Sequence, residues 1–397
     1  MSLDESSTRM LAVTVSIFFF TTSLSGTFLP IYFNEALRMG IPDIVVILFF
    51  SFVTIGLIPL LLIRITRHFE RIISLGIILT LLFYMALIYV KSPIILGLAY
   101  GVSLATFWPS FNLLQFRLSE TRERALLISL MSVAIPGIAG IVSPAIGGFI
   151  IEQYGFVSLY TISIILFLAS FAVSLKIRYK PEKHKFLIPK NTAFKIFMLT
   201  FVLLGLGESY WLAYPFFVFS ISSAIVSMGL VMTASSLIIT LLNIGISRLS
   251  DIKGSRVEFA IVSSILYAVW YLALAFTSSA IQIVFLSVLS GLAAAFALSW
   301  FAYYGDSFGR EYHASILVMM EAGFMAGRII NLIPTYIFIS SHDYASYFGI
   351  LGAASLLPMP LYVLCAKYVY KNPPAFSSKS TAQTLPSEPT TSANASV

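Results

Sequence analysis

Long apolar runs separated by short polar breaks divide the chain into two series of six segments. The runs cover residues 10–33, 43–63, 72–90, 93–116, 125–150, 155–176, 194–219, 224–247, 258–277, 280–304, 314–339 and 344–369. A membrane-spanning helix needs about 20 predominantly apolar residues, and each run has about that length. The pattern predicts an all-α, polytopic membrane protein with twelve transmembrane helices in two six-helix bundles.

The polar segments set the predicted domain boundaries. Residues 1–9 form an N-terminal segment, residues 10–176 the first bundle, and residues 194–369 the second bundle. Residues 177–193 form a basic linker between them. Residues 370–397 are rich in Ser, Thr, Pro and Ala, and we expect this tail to be disordered.

Composition narrows the class of protein further. Only 10% of the residues are charged and 58% are hydrophobic, whereas soluble domains carry about 25% charged residues. These values disfavour a soluble enzyme and a nucleic-acid-binding domain. The single cysteine, Cys365, excludes a disulfide scaffold and is expected to be a small packing residue.

The basic residues predict the orientation of the chain. The loops after odd-numbered spans hold only Arg38 and Lys91, and Arg328 lies inside a span. All other Lys and Arg residues fall in the loops after even-numbered spans or near the two ends of the chain. The positive-inside rule therefore places both termini in the cytoplasm. We expect a multi-pass protein of the plasma membrane.

The two halves also share sequence features. Leu24-Ser-Gly-Thr-Phe-Leu-Pro30 in the first span corresponds to Ser209-Tyr-Trp-Leu-Ala-Tyr-Pro215 in the seventh, since both end at a proline. Thr106-Phe-Trp-Pro-Ser-Phe111 in the fourth corresponds to Leu298-Ser-Trp-Phe-Ala-Tyr303 in the tenth. Matching halves are typical of transporters built from internal repeats.

At this point residues 10–370 resemble the major facilitator superfamily. The loop Asp251-Ile-Lys-Gly-Ser-Arg256 is similar to the family's signature loop, with Asp251, Lys253, Gly254 and Arg256 in matching positions. In the first half, Thr66 replaces the acidic residue and Phe69 the glycine, while Arg67, Glu70 and Arg71 remain. The resemblance implies that these loops latch the cytoplasmic ends of the two halves, with Glu70 as the substitute acidic residue.

The fifth span contains a second family-like motif. Gly140-Ile-Val-Ser-Pro-Ala-Ile-Gly-Gly148 is similar to the glycine–proline motif of drug and metabolite antiporters, with Ser143 where the family often has glycine. The candidate residues are Gly140, Ser143, Pro144, Gly147 and Gly148. The alternative interpretation is ordinary close packing of small residues on one helix face.

Ionisable residues inside spans are rare and are candidates for function. Glu208 lies near the middle of the seventh span, which lines the central cavity in the family's fold. It is a candidate for exchanging a proton with either side of the membrane, or else a structural carboxylate. Glu321 and Arg328 are seven residues apart, beyond the three- or four-residue spacing of helical neighbours, so we do not expect them to pair directly. We expect Arg328 to pair across to Glu208, either in transport or as a structural ionic lock.

Aromatic and polar candidates for the predicted cavity lining come from the fourth, seventh and tenth spans. The candidates are Trp108, Asn112, Tyr210, Trp211, Trp300, Tyr303 and Tyr304. Together with two carboxylates and one guanidinium, such a lining favours amphipathic, neutral or cationic solutes. Asp306 and Arg310, at the end of the tenth span, are predicted to belong to a cytoplasmic gate or cap.

These features predict a secondary transporter that works by rocking-bundle alternating access. We expect proton-coupled export of a small amphipathic organic solute, with Glu208 as the coupling carboxylate. The expected partners are a small-molecule substrate, protons and the bilayer, with no nucleic acid, no metal and no cofactor, and the protein is expected to be a monomer and not an enzyme. The alternatives are a proton symporter that imports a sugar or organic acid, an uncoupled facilitator, and a non-transporting membrane receptor of the same fold.

Overall fold

The computed structural model describes residues 3–66, 68–118, 135–178, 185–209, 211–253 and 256–371, and their regular structure is helical, without strands. In the first half, α1 is Leu3–Gly26, followed by the short turns Leu29–Ile31 and Tyr32–Ala36; α2 is Ile41–Ile65, α3 is Ile73–Tyr89 and α4 is Pro93–Leu118. The segment Ile135–Ser174 contains both α5 and α6. They are separated at Gly155, whose φ of 79° is a conformation that favours glycine.

The second half repeats this order. Helix α7 is in two pieces, Thr192–Leu206 and Ala213–Ser222; α8 is Ile225–Lys253, α9 is Arg256–Leu274 and α10 is Ala280–Asp306. Helix α11 is His313–Pro334 with the turn Thr335–Ile339, and α12 consists of Tyr344–Leu356 and Met359–Lys371. The predicted all-α architecture with twelve helices in two bundles is confirmed.

Nine segments of the described chain are long and apolar enough to cross a bilayer. The segment Gly137–Ser174 counts once although it holds α5 and α6. Helix α3 and the two pieces of α7 are apolar but shorter than the other spans. With α5 and α6 counted separately, the nine segments supply ten spans, and α3 and α7 bring the total to twelve.

The ends of the helices follow from local sequence. Asn191 accepts a hydrogen bond from the backbone N–H of Phe194 and so begins α7. Ser279 begins α10 in the same way, and Gln282 bonds back to the Ser279 N–H. These are side-chain caps of the first turn.

Two predicted helix boundaries differ from the structure. Helix α1 begins at Leu3 rather than at residue 10, because nothing between them breaks a helix, and α12 ends at Lys371 rather than at residue 369. Residues 372–397, the predicted disordered tail, lie outside the described residues.

Helices α5 and α8 form one seam between the halves. A Cβ on Gly229 of α8 would lie 2.5 Å from the Pro144 carbonyl oxygen, and a Cβ on Gly148 would lie 3.0 Å from the Ile225 carbonyl oxygen. On another face of α5, a Cβ on Gly147 would lie 2.1 Å from the Leu24 carbonyl oxygen of α1. The small residues of α5 therefore bring its backbone into direct contact with both neighbours.

Helices α2 and α11 form the second seam. A Cβ on Gly56 of α2 would lie 2.4 Å from the Met325 sulfur of α11. At one end of this seam, the side chains of Ile63, Ile72, Leu113, Ala314 and Val318 form a buried cluster that includes residues of both halves. The two bundles are thus packed against each other along α2 and α11, next to the candidate site.

Candidate functional site

Helix α7 is interrupted where Glu208 lies. The helix stops at Leu206 and resumes at Ala213, after the sequence Gly207-Glu-Ser-Tyr-Trp-Leu212. The Tyr271 hydroxyl donates to the Gly207 carbonyl oxygen at 2.5 Å, and the Asn331 amide nitrogen donates to the Glu208 carbonyl oxygen. Non-helical backbone at membrane depth needs such partners, since lipid offers none. Tyr210 lies outside the described residues.

Glu208 and Arg328 form a two-point ion pair. Arg328 Nε donates to Glu208 Oε2 at 2.7 Å, and Nη2 donates to Oε1 at 3.0 Å. Trp211 Nε1 donates a third hydrogen bond to Glu208 Oε2 at 2.6 Å. The side chains are only 9% (Arg328) and 13% (Glu208) exposed. Parallel bonds of this kind are stronger and more directional than a single contact, and the pairing expected from the sequence is present.

Glu321 joins the same cluster, against expectation. Arg328 Nη1 lies 3.4 Å from Glu321 Oε2, although the two residues are seven apart on α11. Long side chains on a helix point back toward its N-terminus. The Arg328 side chain therefore reaches back over the two helical turns that separate it from Glu321. The expectation that Glu321 and Arg328 do not pair directly is therefore wrong.

Three aromatic rings surround the Arg328 guanidinium. Its central carbon lies 5.0 Å from the Phe324 ring centre, 5.4 Å from that of Trp211 and 5.9 Å from that of Phe52. These distances allow cation–π attraction. Phe52 belongs to α2, so a ring of the first half lies over a charge of the second half.

The polar cluster continues along α11 toward α12. The Tyr347 hydroxyl donates to Asn331 Oδ1 at 3.3 Å, and the Thr335 hydroxyl lies 3.2 Å from the Tyr347 hydroxyl. A small cavity beside the ion pair is lined by Leu48, Phe52, Glu208, Ser209, Trp211, Leu212, Ala213, Arg328, Asn331, Leu332, Thr335 and Tyr347. Sequence reasoning missed Asn331, Thr335 and Tyr347. Glu321, Arg328, Asn331 and Thr335 recur at spacings of seven, three and four, a helical periodicity that was available as a signal.

Most of the other predicted lining residues lie away from the ion pair. Trp300 is 1% exposed and packs between Phe197 and Tyr362, with ring centres 4.8 Å and 4.4 Å away. Tyr304 is buried and donates from its hydroxyl to the Ile316 carbonyl oxygen. These two residues form helix packing rather than cavity lining, because rings of α7, α10 and α12 interlock there.

Of the remaining lining candidates, Tyr303 belongs to the same aromatic packing, while Trp108 and Asn112 lie on α4 of the first half. Tyr303 is half-buried and lies 5.9 Å from the Phe197 ring centre. Trp108 is 36% exposed and stands 5.5 Å from the Phe19 ring centre. Asn112 is half-buried on the next turn of α4. Trp211 is thus the single described aromatic candidate that the structure brings to the ion pair.

The predicted cytoplasmic loops are described in part. Arg256, at the start of α9, makes an ion pair with Asp306, at the end of α10. Arg71 is exposed just before α3. Arg67 and Gly254 lie outside the described residues, and so do the side chains of Glu70, Asp251, Lys253 and Arg310. Within the described part of these loops, the Arg256–Asp306 ion pair joins α9 to α10, and both helices belong to the second half.

The fifth-span motif is placed by its packing. Ser143 is buried and donates to the Ala139 carbonyl oxygen of its own helix. Gly140 faces Ser236 of α8, where an added Cβ would lie 3.5 Å from the hydroxyl oxygen. Pro144 and Gly148 make the backbone contacts with α8 and Gly147 makes one with α1, so this motif packs α5 against both neighbouring helices.

Two six-helix bundles with a broken helix and an ion pair at their interface define a class of protein, the secondary transporters. The family model of the Major Facilitator Superfamily matches residues 11–228 and 196–393, and the chain belongs to that superfamily. Membership implies a membrane environment and a small-molecule substrate. It also assigns the protein to a family of transporters, which are generally not enzymes.

Individual relatives are distant. The uncharacterized protein YqgE of Bacillus subtilis (strain 168) is 23% identical over 138 residues, which cover 32% of this chain and 32% of that protein. The match therefore spans about a third of this curated relative. The crystal structure of the nucleoside transporter NupG is similar with a TM-score of 0.67 at 15% identity, covering 93% of this chain and 100% of that one. A mutant of the peptide transporter POT gives 0.68 at 12% identity, covering 92% and 95%. At these identities the likeness shows the fold.

Proposed function

We propose that the protein exports a small amphipathic organic solute in exchange for protons, with Glu208 as the coupling carboxylate. The observation that carries the proposal is the two-point Glu208–Arg328 ion pair at the interruption of α7. Removing one member of a buried ion pair costs about 3–5 kcal/mol, because the other charge loses its partner. A proton on Glu208 therefore weakens the cluster, because it removes the charged partner of Arg328.

The groups next to Glu208 determine how the site rearranges when Glu208 takes up a proton. When Glu208 is neutral, Arg328 keeps Glu321 as a charged partner, 3.4 Å away in the present arrangement. The guanidinium then moves along α11 toward Glu321. Loss of the pair also loosens the break in α7, since Trp211 is bonded to the same carboxylate. Protonation is thereby linked to rearrangement of α7 and α11.

The charge of the cluster supports the choice of solute. Two carboxylates face one guanidinium, and the rings of Phe52 and Trp211 border the small cavity. A surplus carboxylate and aromatic faces attract cations and neutral amphipathic molecules. Arg328 already contacts both carboxylates, which disfavours a carboxylate substrate bound to it. The choice of export rests on the resemblance of the α5 motif to that of antiporters.

Reconstitution in proteoliposomes tests the proposal. We would measure accumulation of ethidium, tetraphenylphosphonium, uridine and dialanine under a pH gradient of either polarity. The nucleoside and the dipeptide are included because one structural relative is a nucleoside transporter and the other a peptide transporter. We expect ethidium or tetraphenylphosphonium to accumulate only when the vesicle interior is the acidic side, because solute then enters in exchange for protons that leave.

The Glu208→Gln variant is the critical comparison. We expect it to lose gradient-driven accumulation while it retains counterflow exchange, because the amide mimics the protonated state. Glu152→Gln, which changes an exposed carboxylate, is the matched control and should behave as wild type. Undiminished gradient-driven accumulation in Glu208→Gln contradicts the coupling role, and accumulation driven by the opposite polarity contradicts export.

The same proposal includes the membrane topology and the oligomeric state. We propose a monomer in the plasma membrane with both termini in the cytoplasm. The asymmetry of Lys and Arg between alternate loops supports this orientation.

A further inference from the structure

Phe52 is the residue of the first half that lies over the charge cluster of the second half. Its ring centre is 5.9 Å from the Arg328 guanidinium carbon and 5.3 Å from the Trp211 ring centre, in an edge-to-face arrangement. The side chain is 2% exposed. By contrast, Glu208, Glu321, Arg328 and Trp211 all belong to α7 and α11 of the second half.

The contact sits on the seam along which the halves meet. Gly56, one turn after Phe52 on α2, is so close to α11 that a Cβ would lie 2.4 Å from the Met325 sulfur. Met325 is one turn before Arg328 on α11. Phe52 and Gly56 therefore face Arg328 and Met325 as two consecutive turns of packed helices. The helices cannot shift along this seam without changing the Phe52–Arg328 contact.

Attraction at this contact depends on the position of the cation. A guanidinium over a ring face is attracted by the electrons of the ring, and the attraction falls when the cation leaves the face. Trp211 is held in place by its bond to Glu208 and by its packing on Phe52. A change in the Glu208–Arg328 pair therefore alters two contacts of Phe52 together.

We infer that Phe52 is a positioning residue that couples the state of the Glu208–Arg328 ion pair to the separation of the two halves. The inference rests on the proposed function and deepens it. With the pair intact, Phe52 packs on Arg328 and Trp211 and holds α2 against α11. When Glu208 takes up a proton, Arg328 moves toward Glu321, the contacts of Phe52 weaken, and the halves part along this seam.

The titratable groups that face Glu208 are part of this account. In the described chain they are Arg328 and Glu321 of α11, Tyr267 and Tyr271 of α9 and Tyr347 of α12. The tyrosine hydroxyls remain neutral between pH 5 and pH 8, since an ordinary tyrosine titrates near pH 10. The tyrosines therefore do not account for a response in that pH range, and the Glu208→Gln variant shows whether the response depends on Glu208.

A distance measurement tests the inference without a substrate. Spin labels at Lys91→Cys and Ser278→Cys, in a Cys365→Ala background, report the separation of the halves on the side that the orientation predicts to be outside. Both positions are exposed. Double electron–electron resonance would be recorded at pH 5 and pH 8 for wild type, Phe52→Leu, Phe52→Tyr and Glu208→Gln. Phe49→Leu, a change of a 41% exposed ring on the same helix, is the matched control.

We expect wild type, Phe52→Tyr and Phe49→Leu to change their distance distribution with pH. Phe52→Leu and Glu208→Gln should each give one distribution at both pH values. A pH response in Phe52→Leu equal to that of wild type overturns the inference and leaves the proposed function standing. A response in Glu208→Gln equal to that of wild type, or no response in wild type, overturns the proposed function itself.

Transport of ethidium gives a second, independent readout. We expect Phe52→Leu to retain counterflow within about twofold of wild type while gradient-driven accumulation falls about tenfold. Equal losses in both assays mean that Phe52 only supports the structure, which overturns the inference. If Phe52→Leu is not recovered as a folded protein, Phe52→Met, a flexible apolar side chain, replaces it in both experiments.

Discussion

At the scale of single residues, the geometry of the arginine matters more than its charge. Arg328 uses Nε and Nη2 for Glu208 and Nη1 for Glu321, so all three nitrogens of the guanidinium face carboxylates. A lysine carries the same charge but cannot form two parallel bonds with one carboxylate. The site therefore requires arginine at this position.

The Arg328→Lys variant is expected to lose at least tenfold in gradient-driven transport. The loss of one charge-assisted hydrogen bond corresponds to about 1.5–3 kcal/mol, which is tenfold or more in an equilibrium constant. The measurement is ethidium accumulation in proteoliposomes. Arg178→Lys, at an exposed arginine outside the spans, is the control and should retain wild-type activity. Equal activity of the two variants would show that charge alone suffices.

The hydrogen bond from Trp211 is a separate contribution. Trp211→Phe keeps an aromatic ring beside Phe52 but removes the N–H that donates to Glu208 Oε2. We expect gradient-driven accumulation to fall by about tenfold, because a bond to a charged group is lost. Trp108→Phe, at a tryptophan that lies away from the ion pair, provides the comparison and should change transport less than twofold. If both variants transport alike, the Trp211 bond does not contribute.

At the scale of helices, α7 and α11 approach closely next to the ion pair. A Cβ on Gly327 would lie 2.0 Å from the Val202 carbonyl oxygen, and a Cβ on Gly205 would lie 2.5 Å from the Phe324 carbonyl oxygen. The absence of side chains at both positions lets the helices touch backbone to backbone, and this contact brings Arg328 within reach of Glu208. The glycines thus position the site without belonging to it.

Gly327→Ala is therefore expected to destabilise the protein by about 1–3 kcal/mol, as overpacking does. Gly349→Ala, on α12, meets nothing within 4 Å and should be neutral or slightly stabilising, since alanine favours the helix. Thermal unfolding of the two variants in detergent measures the difference. A melting temperature for Gly327→Ala equal to that of Gly349→Ala would contradict the close α7–α11 contact.

The sequence predicts a helix well where the length and polarity of the segment determine the structure. It predicts poorly where contacts with distant residues determine the structure. The run 43–63 becomes α2 over Ile41–Ile65, because an apolar segment in lipid must satisfy its backbone as a helix. The run 194–219 predicts one helix, whereas α7 breaks at Glu208. The partners that stabilise the break, Tyr271 and Asn331, lie on α9 and α11 and are distant in sequence.

The same distinction applies to the site. The scarcity of charge in spans identified Glu208, Glu321 and Arg328, because each buried ion needs a reason to be there. The aromatic residues carried no such signal: Trp300 packs in the core while Trp211 contacts the ion pair, although both lie in apolar runs. Phe52 was beyond sequence reasoning, since one phenylalanine among 34 has nothing to distinguish it.

At the scale of the whole molecule, the orientation makes a prediction of its own. With both termini in the cytoplasm, the loop at Lys91 faces outward and the linker at Lys190 faces inward. In a Cys365→Ala background, Lys91→Cys in intact cells should react with a membrane-impermeant maleimide, whereas Lys190→Cys should react after permeabilisation alone. The reverse pattern would invert the topology.

The central claim, that Glu208 couples proton movement to solute movement, is tested most directly by proton flux driven by the solute. Ethidium is added to proteoliposomes that enclose a pH-sensitive dye, with no initial pH gradient. Wild type and Glu152→Gln should move protons across the membrane opposite to ethidium, while Glu208→Gln should exchange ethidium without any change in internal pH. A pH change in Glu208→Gln as large as that in wild type would contradict the account.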